Sequence, residues 1–104
     1  MNLTNFKMNK TDAPKGVQAM IDFGLYQLSI IQNEMSYGGK DGLYEIGVWS
    51  ENDMVELPGI TNEGDTVKGY LTSNDVDAIL KKVYLIRLTY LIQKGPLKNK
   101  FFQI

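Results

Sequence analysis

The 104-residue chain contains no cysteine and no histidine, and these two absences exclude several kinds of chemistry. Without cysteine the chain has no disulfide and no thiolate nucleophile. Without histidine it lacks the most frequent general base at neutral pH and the most frequent transition-metal ligand. The composition is compatible with a reducing compartment. We therefore expect a cytoplasmic protein that is not an enzyme and carries no cofactor.

Long apolar segments are also scarce. The longest apolar stretch, residues 83–92, spans ten residues and includes Arg87, whereas a helix that crosses a bilayer needs about 20. We therefore predict that the protein does not interact with a membrane. Because an apolar stretch of this length is unfavourable when exposed, we also expect the chain to form a homo-oligomer.

Charge is distributed unevenly along the sequence, although the net charge is only −1. Residues 41–77 carry nine acids and one base, whereas residues 78–104 carry six bases and no acid. A separation of this kind is compatible with two oppositely charged surfaces on the folded protein.

Alternation of apolar and polar residues predicts four strands, at residues 25–32, 43–50, 54–57 and 66–71. Turn residues separate them, including three glycines within residues 36–42. Short strands with tight connections favour an antiparallel β-meander. The expected inward-facing residues of the first two strands are Tyr26, Leu28, Ile30, Tyr44, Ile46 and Val48.

The period then changes to that of a helix. Val76, Ile79, Leu80 and Val83 recur at i, i+3, i+4 and i+7 and predict an amphipathic helix over residues 73–84. Thr72 or Ser73 can cap its first turn. Residues 84–93 are compatible with a fifth strand or with continuation of the helix, and we favour continuation. The predicted fold is α+β, a four-stranded antiparallel meander with this helix packed on one face.

Residues 1–16 are polar and contain a Pro–Lys–Gly break, which is typical of a flexible N-terminal arm. We expect residues 17–104 to form a single α+β domain.

No motif for catalysis or metal binding stands out. The loop at residues 38–42 contains glycines and a lysine, but it precedes a strand and does not match the phosphate-binding spacing. The oxygen-rich segments at 51–53 and 62–65 suit Ca²⁺ or Mg²⁺ only in ligand type, and neither matches the EF-hand spacing. We predict no metal site, although paired carboxylates leave a metal- or carboxylate-dependent hydrolase as a third hypothesis.

Two candidate binding surfaces follow from the charge pattern. By alternation Trp49 shares a sheet face with Glu45, either exposed at a contact site or covered as core. The acidic candidate for binding a partner protein comprises Glu45, Trp49, Asp53, Glu56, Glu63 and Asp65. The basic candidate, suited to nucleic acid because lysines alternate with aromatic residues, comprises Lys81, Lys82, Arg87, Lys94, Lys98 and Lys100.

The run YGGKDGLYEIGVW…ELPGITNEGDTVKGYLT, residues 37–72, resembles small accessory proteins encoded by tailed bacteriophages and prophages. The resemblance implies a protein that binds a host or phage protein, for example to inhibit a defence system or to assist assembly, and it implies no catalytic motif. The leading hypothesis is a protein–protein interaction module that uses the acidic sheet face. The alternatives are a small nucleic-acid-binding protein and a phage assembly or structural protein.

Overall fold

The computed structural model describes residues 2–12 and 16–94, the last two as backbone only. Within these residues the chain forms one long helix, α1 (Ser73–Lys94), and two short 3-10 helices, Leu3–Asn5 and Gly39–Asp41. The strands are β1 (Asn9–Lys10), β2 (Val17–Asp22), β3 (Gln27–Gln32), β4 (Tyr44–Ser50), β5 (Asp53–Met54) and β6 (Val67–Leu71). The α+β class with an antiparallel sheet and one helix is confirmed.

The described sheet has six strands, and the predicted number of four is wrong. Five strands follow one another in the order β1–β2–β3–β4–β5, and β6 returns to pair with β4. Strand β3 occupies one edge of β4, so β5 and β6 share the other edge, at Trp49–Ser50 and at Tyr44–Gly47. The prediction missed strand β2. Its side chains alternate between the two faces as in the predicted strands, with Val17, Ala19 and Ile21 on one side.

The strand predicted at residues 54–57 is also wrong. Only Met54 belongs to a strand, and residues 55–66 form a loop between β5 and β6. The loop contributes Leu57, Ile60 and Thr61 to the interior. It is closed by hydrogen bonds from the Ile60 and Thr61 N–H groups to Leu57 O and from the Leu57 N–H to Thr61 Oγ1. The apolar residues that suggested a strand are therefore buried as part of a loop.

The core lies between the sheet and the first half of α1. Leu28, Ile30, Ile46 and Val48 are buried, as predicted, and Tyr26 and Tyr44 are partly buried beside them. The predicted helical stripe, Val76, Ile79, Leu80 and Val83, is buried in the same cluster.

The helix begins with a reciprocal cap, because the Asp75 N–H donates to Thr72 Oγ1 and the Thr72 N–H donates to Asp75 Oδ2. It continues to Lys94, which confirms the favoured alternative for residues 84–93. The helix is amphipathic only as far as Val83, because apolar residues occur on several sides of it beyond that point. Among the described residues no helix, α1 included, combines the length and the apolar character needed to cross a bilayer.

The described part of the predicted N-terminal arm makes defined contacts. Leu3 is buried against the domain, and β1 pairs with β2. The flexibility of residues 1–16 and the division of the chain at residue 17 stay predictions, but Leu3 belongs to the core of the domain that follows.

Candidate partner-binding surfaces

The sheet face opposite α1, which we call the distal face, can be read from the strand register. Residues paired across an antiparallel sheet lie on the same side, so the rows Gln27–Trp49–Met54 and Met20–Ser29–Gly47 both belong to this face. A third row joins Gln18, Ile31 and Glu45. As predicted, Trp49 and Glu45 share one face.

The middle of the distal face consists of small residues overlain by long ones. Ser29 and Gly47 are buried there, and Gln18 Nε2 donates to Ser29 Oγ. The Met54 side chain lies over Gly47, with its Cε 2.9 Å from where a Cβ would be. Trp49 beside it is half-buried. The face therefore presents a tryptophan within a shallow apolar surface.

Two exposed tyrosines adjoin this face next to Glu45. Glu45 Oε1 accepts a hydrogen bond from the Tyr37 N–H, and Tyr37 O accepts one from the Tyr70 N–H. The two rings stack with centroids 6.4 Å apart, and they are 58% and 64% exposed. Tyr70 holds φ at +56°, a left-handed conformation that is rare for a residue other than glycine. This strained backbone holds an aromatic side chain in solvent.

The six residues of the acidic candidate occupy three places. Glu45 and Trp49 lie on the distal face, whereas Asp53 is opposite Ser50 and so points to the other side of the sheet edge. Glu56, Glu63 and Asp65 lie in the 55–66 loop, where the first two line one shallow pocket with Pro58, Gly59 and Thr61. Asp65 accepts hydrogen bonds from the Thr66 and Val67 N–H groups.

The acidic loop nevertheless begins and ends at the strand that contains Trp49. It leaves and rejoins the sheet at Val48, since the Val55 N–H donates to Val48 O and the Val48 N–H donates to Thr66 O. Residues 53–65 contain four acids, Asp53, Glu56, Glu63 and Asp65, and no base. The loop thus places its acids at the edge of the sheet at which β5 and β6 pair with β4.

The basic candidate does not form one stripe along α1. Lys81 and Lys82 are exposed on adjacent positions, whereas Arg87 lies near the turn after β2, with its Nε 3.9 Å from where a Cβ on Gly24 would be. Arg87 also interacts electrostatically with Asp22. Lys94 ends the helix, and Lys98 and Lys100 lie outside the described residues. The described bases point in different directions.

The second half of α1 carries the largest set of exposed apolar side chains in the described residues. Five of them lie on the side of the helix away from the core, which we call the outer face, defined by Tyr84, Leu85, Leu88, Leu91 and Ile92. Leu85, at the border of this face, also lines an open groove together with Ile86, Thr89, Tyr90, Leu25 and Tyr26. Arg87 is the only charged residue between positions 84 and 92.

Two carboxyl groups have shifted acidities, and both shifts have structural causes. The Gly24 N–H and the Gln27 side chain donate to Asp22 and lower its pKa, with a smaller contribution from Arg87. The backbone N–H and hydroxyl of Thr72 lower the pKa of Asp75 in the helix cap. Among the described residues no three acidic side chains are grouped closely enough to hold a metal ion. Both shifted groups stabilise turns or helix ends.

Sequence reasoning missed Met20, Met54, Tyr37 and Tyr70 as members of the exposed surface. Met20 could have been found from the alternation of β2, which places it opposite Ser29. The tyrosines could not, because Tyr70 lies in a strand whose register with β4 is irregular, and Tyr37 is joined to it by the hydrogen bond from the Tyr70 N–H to Tyr37 O.

Comparisons with known proteins assign no class to this chain. No protein-family model, no curated protein and no solved structure matches it. The fold and its two uncovered apolar surfaces are therefore the basis for any functional assignment.

Proposed function

We propose that this chain is a protein–protein interaction module that binds its partner through the distal face around Trp49. The proposal rests on a half-buried tryptophan on the face opposite the helix, together with two exposed methionines of the same face, Met54 opposite Trp49 and Met20 on β2. Met20 is 55% and Met54 is 40% exposed. Tryptophan, tyrosine and methionine are enriched at protein interfaces, and tryptophan and tyrosine dominate their energetics.

The border of this surface suggests the chemistry of the partner. Asp53 and the 55–66 loop place four carboxylates, and no base, along the edge of β4 at which β5 and β6 pair, and Trp49 belongs to that strand. A partner that matches this arrangement has an apolar pocket or ridge with lysine or arginine along one side. This is consistent with the resemblance to phage accessory proteins, among which inhibition of a host or defence protein is one role that such a surface would serve.

The test is affinity purification of partners from a bacterial lysate with three forms of the full chain. These are the unmodified chain, Trp49→Ala, and Met35→Ala, which changes a side chain that is 86% exposed in the turn after β3. We expect a protein, identified by mass spectrometry, that the unmodified chain and Met35→Ala retain and Trp49→Ala does not. Removing an interface tryptophan typically costs at least about 2 kcal/mol, a loss of roughly 30-fold in affinity.

Charge reversal in the 55–66 loop provides a second test of the proposal. Glu56→Lys and Glu63→Lys change exposed residues and leave intact the Glu45 carboxylate, which holds the Tyr37 loop. We expect each to slow association and to reduce the salt dependence of binding. Capture of the same proteins by the unmodified chain and Trp49→Ala, with unchanged melting temperatures, would refute the proposal.

A further inference from the structure

The outer face of α1 has a pattern that is symmetric about one residue. Leu88 lies at its centre, Tyr84 and Leu85 precede it by four and three positions, and Leu91 and Ile92 follow by three and four. These spacings place all five side chains on one side of a helix. Reading the face from either end therefore gives the same arrangement of apolar residues.

We infer that this face binds a second copy of the same chain, with the two helices antiparallel and Leu88 on the two-fold axis. In an antiparallel pair related by a two-fold axis, each residue meets the one at the mirrored position. Leu88 then faces Leu88 of the second copy, and the Tyr84–Leu85 end of one helix faces the Leu91–Ile92 end of the other. Every apolar residue of the outer face meets an apolar residue.

The available area is sufficient for a specific pair. The five side chains are between 36% and 63% exposed. At about 200 Å² for a fully exposed side chain of this size, this is roughly 500 Å² of apolar surface per copy. Complete burial of this surface in both copies would cover about 1,000 Å² in total, which is the lower limit for a biological interface, and about 500 Å² lies in the range of the largest apolar patches on monomers, which are often functional.

Charge is absent from the contact. Arg87 is the only ionisable group apart from tyrosine between residues 84 and 92, and it lies near Asp22 and Gly24 on the core side of the helix. Lys81 lies on the same side of the helix one turn before Tyr84 and Leu85, beyond the end of the five apolar residues, and Lys82 is its neighbour. No charged side chain would therefore be desolvated along the axis of the pair.

The position of the outer face also permits two domains to approach. The first half of α1 lies against the sheet, and the second half carries the exposed side chains. Antiparallel overlap of the second halves alone places the two sheets at opposite ends of the pair. The distal face with Trp49 stays open in this arrangement, so self-association and partner binding use separate surfaces.

The first test is the mass of the full chain in solution by sedimentation equilibrium. We expect twice the chain mass of 11.8 kDa. Leu88→Glu would bring two carboxylates together on the axis, and we expect it to weaken the pair at least 100-fold. Met35→Glu makes the same kind of change at an exposed site away from α1, and we expect it to leave the mass unchanged.

Orientation can be tested with single cysteines, because the chain has none of its own. Leu88→Cys should form a disulfide between copies, since the two residues meet on the axis. Ile92→Cys should not, because in an antiparallel pair its two copies are about 12 Å apart along the helices, beyond the roughly 7 Å that a disulfide spans. A parallel pair would cross-link both variants equally.

Several results would overturn this inference. A mass of one chain at all concentrations would mean that the outer face is covered by another protein or by residues 95–104 of the same chain. A Leu88→Glu variant that keeps its circular dichroism spectrum and remains paired would place the interface elsewhere. Equal cross-linking of Leu88→Cys and Ile92→Cys would refute the antiparallel geometry. None of these results bears on partner binding by Trp49, which is measured separately.

Discussion

The backbone N–H of Leu3 donates a hydrogen bond of 2.6 Å to Oδ1 of Asp77, which is 74 positions later in the chain. This bond connects the first 3-10 helix to the first half of α1. It also brings the Leu3 side chain, which is 7% exposed, into the core cluster. The N-terminal segment thus stabilises the helix that covers the sheet.

We expect Leu3→Ala to destabilise the domain by about 2 kcal/mol, because it removes a buried leucine at the edge of the core. Denaturant unfolding followed by circular dichroism would measure the change. Lys7→Ala alters an exposed residue of the same segment and should change the free energy of unfolding by less than about 0.5 kcal/mol. Equal stabilities of Leu3→Ala and the unmodified chain would show that the segment contributes nothing to folding.

Periodicity in the sequence was sufficient to predict the central part of the core. The alternation through Leu28, Ile30, Ile46 and Val48 and the helical spacing from Val76 to Val83 reflect burial directly, and all of these residues are buried. A regular element that buries one face must repeat apolar residues at its own period. This is why the α+β class and the helix position could be read from the sequence.

The parts of the fold that were not predicted depend on contacts between distant parts of the chain. Strand β5 has only two residues, and it exists because it pairs with Trp49 and Ser50. Leu57 looked like a strand residue but is buried in a loop. Leu3, an isolated apolar residue in a polar segment, has no local period. Such features are determined by tertiary packing, which a local pattern does not contain.

The candidate surfaces were predicted in part. The pairing of Glu45 with Trp49 on one face followed from alternation. The grouping of the acids did not, because Glu56 and Glu63 belong to a loop that the prediction treated partly as strand. Charge density along the sequence located an acidic region, whereas strand register determined which of its residues share a surface.

The helix cap gives a prediction about pH. The Thr72 backbone N–H donates to Asp75 Oδ2 and lowers the pKa of this carboxyl group, and the Thr72 side chain lowers it further. Because the pKa is lower in the folded state, this carboxylate stabilises the fold above its ordinary value of 3.8 and loses that contribution as the pH falls below it. We expect Thr72→Ala to cost about 1 kcal/mol at neutral pH.

The contribution of the Asp75 charge to the helix cap can be tested by replacing Asp75 with asparagine, which is neutral at every pH. Melting temperatures of Asp75→Asn and the unmodified chain should differ most at neutral pH and converge as the pH falls through and below about 4. Ser73→Ala, a neighbouring change without a capping hydrogen bond from its side chain in the structure, is the control and should behave like the unmodified chain. A difference for Asp75→Asn that does not change with pH would contradict the assignment.

Two glycines of the sheet should respond differently to alanine. A Cβ on Gly69 would overlap the Tyr37 Cβ and lie 3.0 Å from Tyr37 O, so relief requires movement of backbone. A Cβ on Gly47 would meet only the flexible end of Met54 at close range. We expect Gly69→Ala to cost more than about 2 kcal/mol and Gly47→Ala less than about 1 kcal/mol. Denaturant unfolding measures both, and equal costs would contradict the described packing around Tyr37.

The turn between β4 and β5 contains a residue whose replacement should stabilise the protein. Glu51 is exposed and holds φ at +55°, a conformation that asparagine adopts at lower cost than glutamate. We expect Glu51→Asn to raise the free energy of unfolding by roughly 0.5 kcal/mol. Glu63→Asn makes the same chemical change in another exposed loop without a positive φ, and it should have no comparable effect. A gain of the same size in both variants would indicate that removal of charge is the cause.

The arrangement of bases on α1 predicts weak binding to nucleic acid. Arg87 is six residues after Lys81 and so about 120° away around the helix, and it faces Asp22. Phosphate binding requires several bases that reach one backbone together, and its affinity falls steeply with salt. We therefore expect the unmodified chain to elute early from a heparin column, at low salt. The double variant Lys81→Ala, Lys82→Ala should elute at nearly the same salt concentration. Strong retention that both substitutions abolish, together with saturable binding of single-stranded DNA, would instead establish the basic third of the chain as a nucleic-acid site.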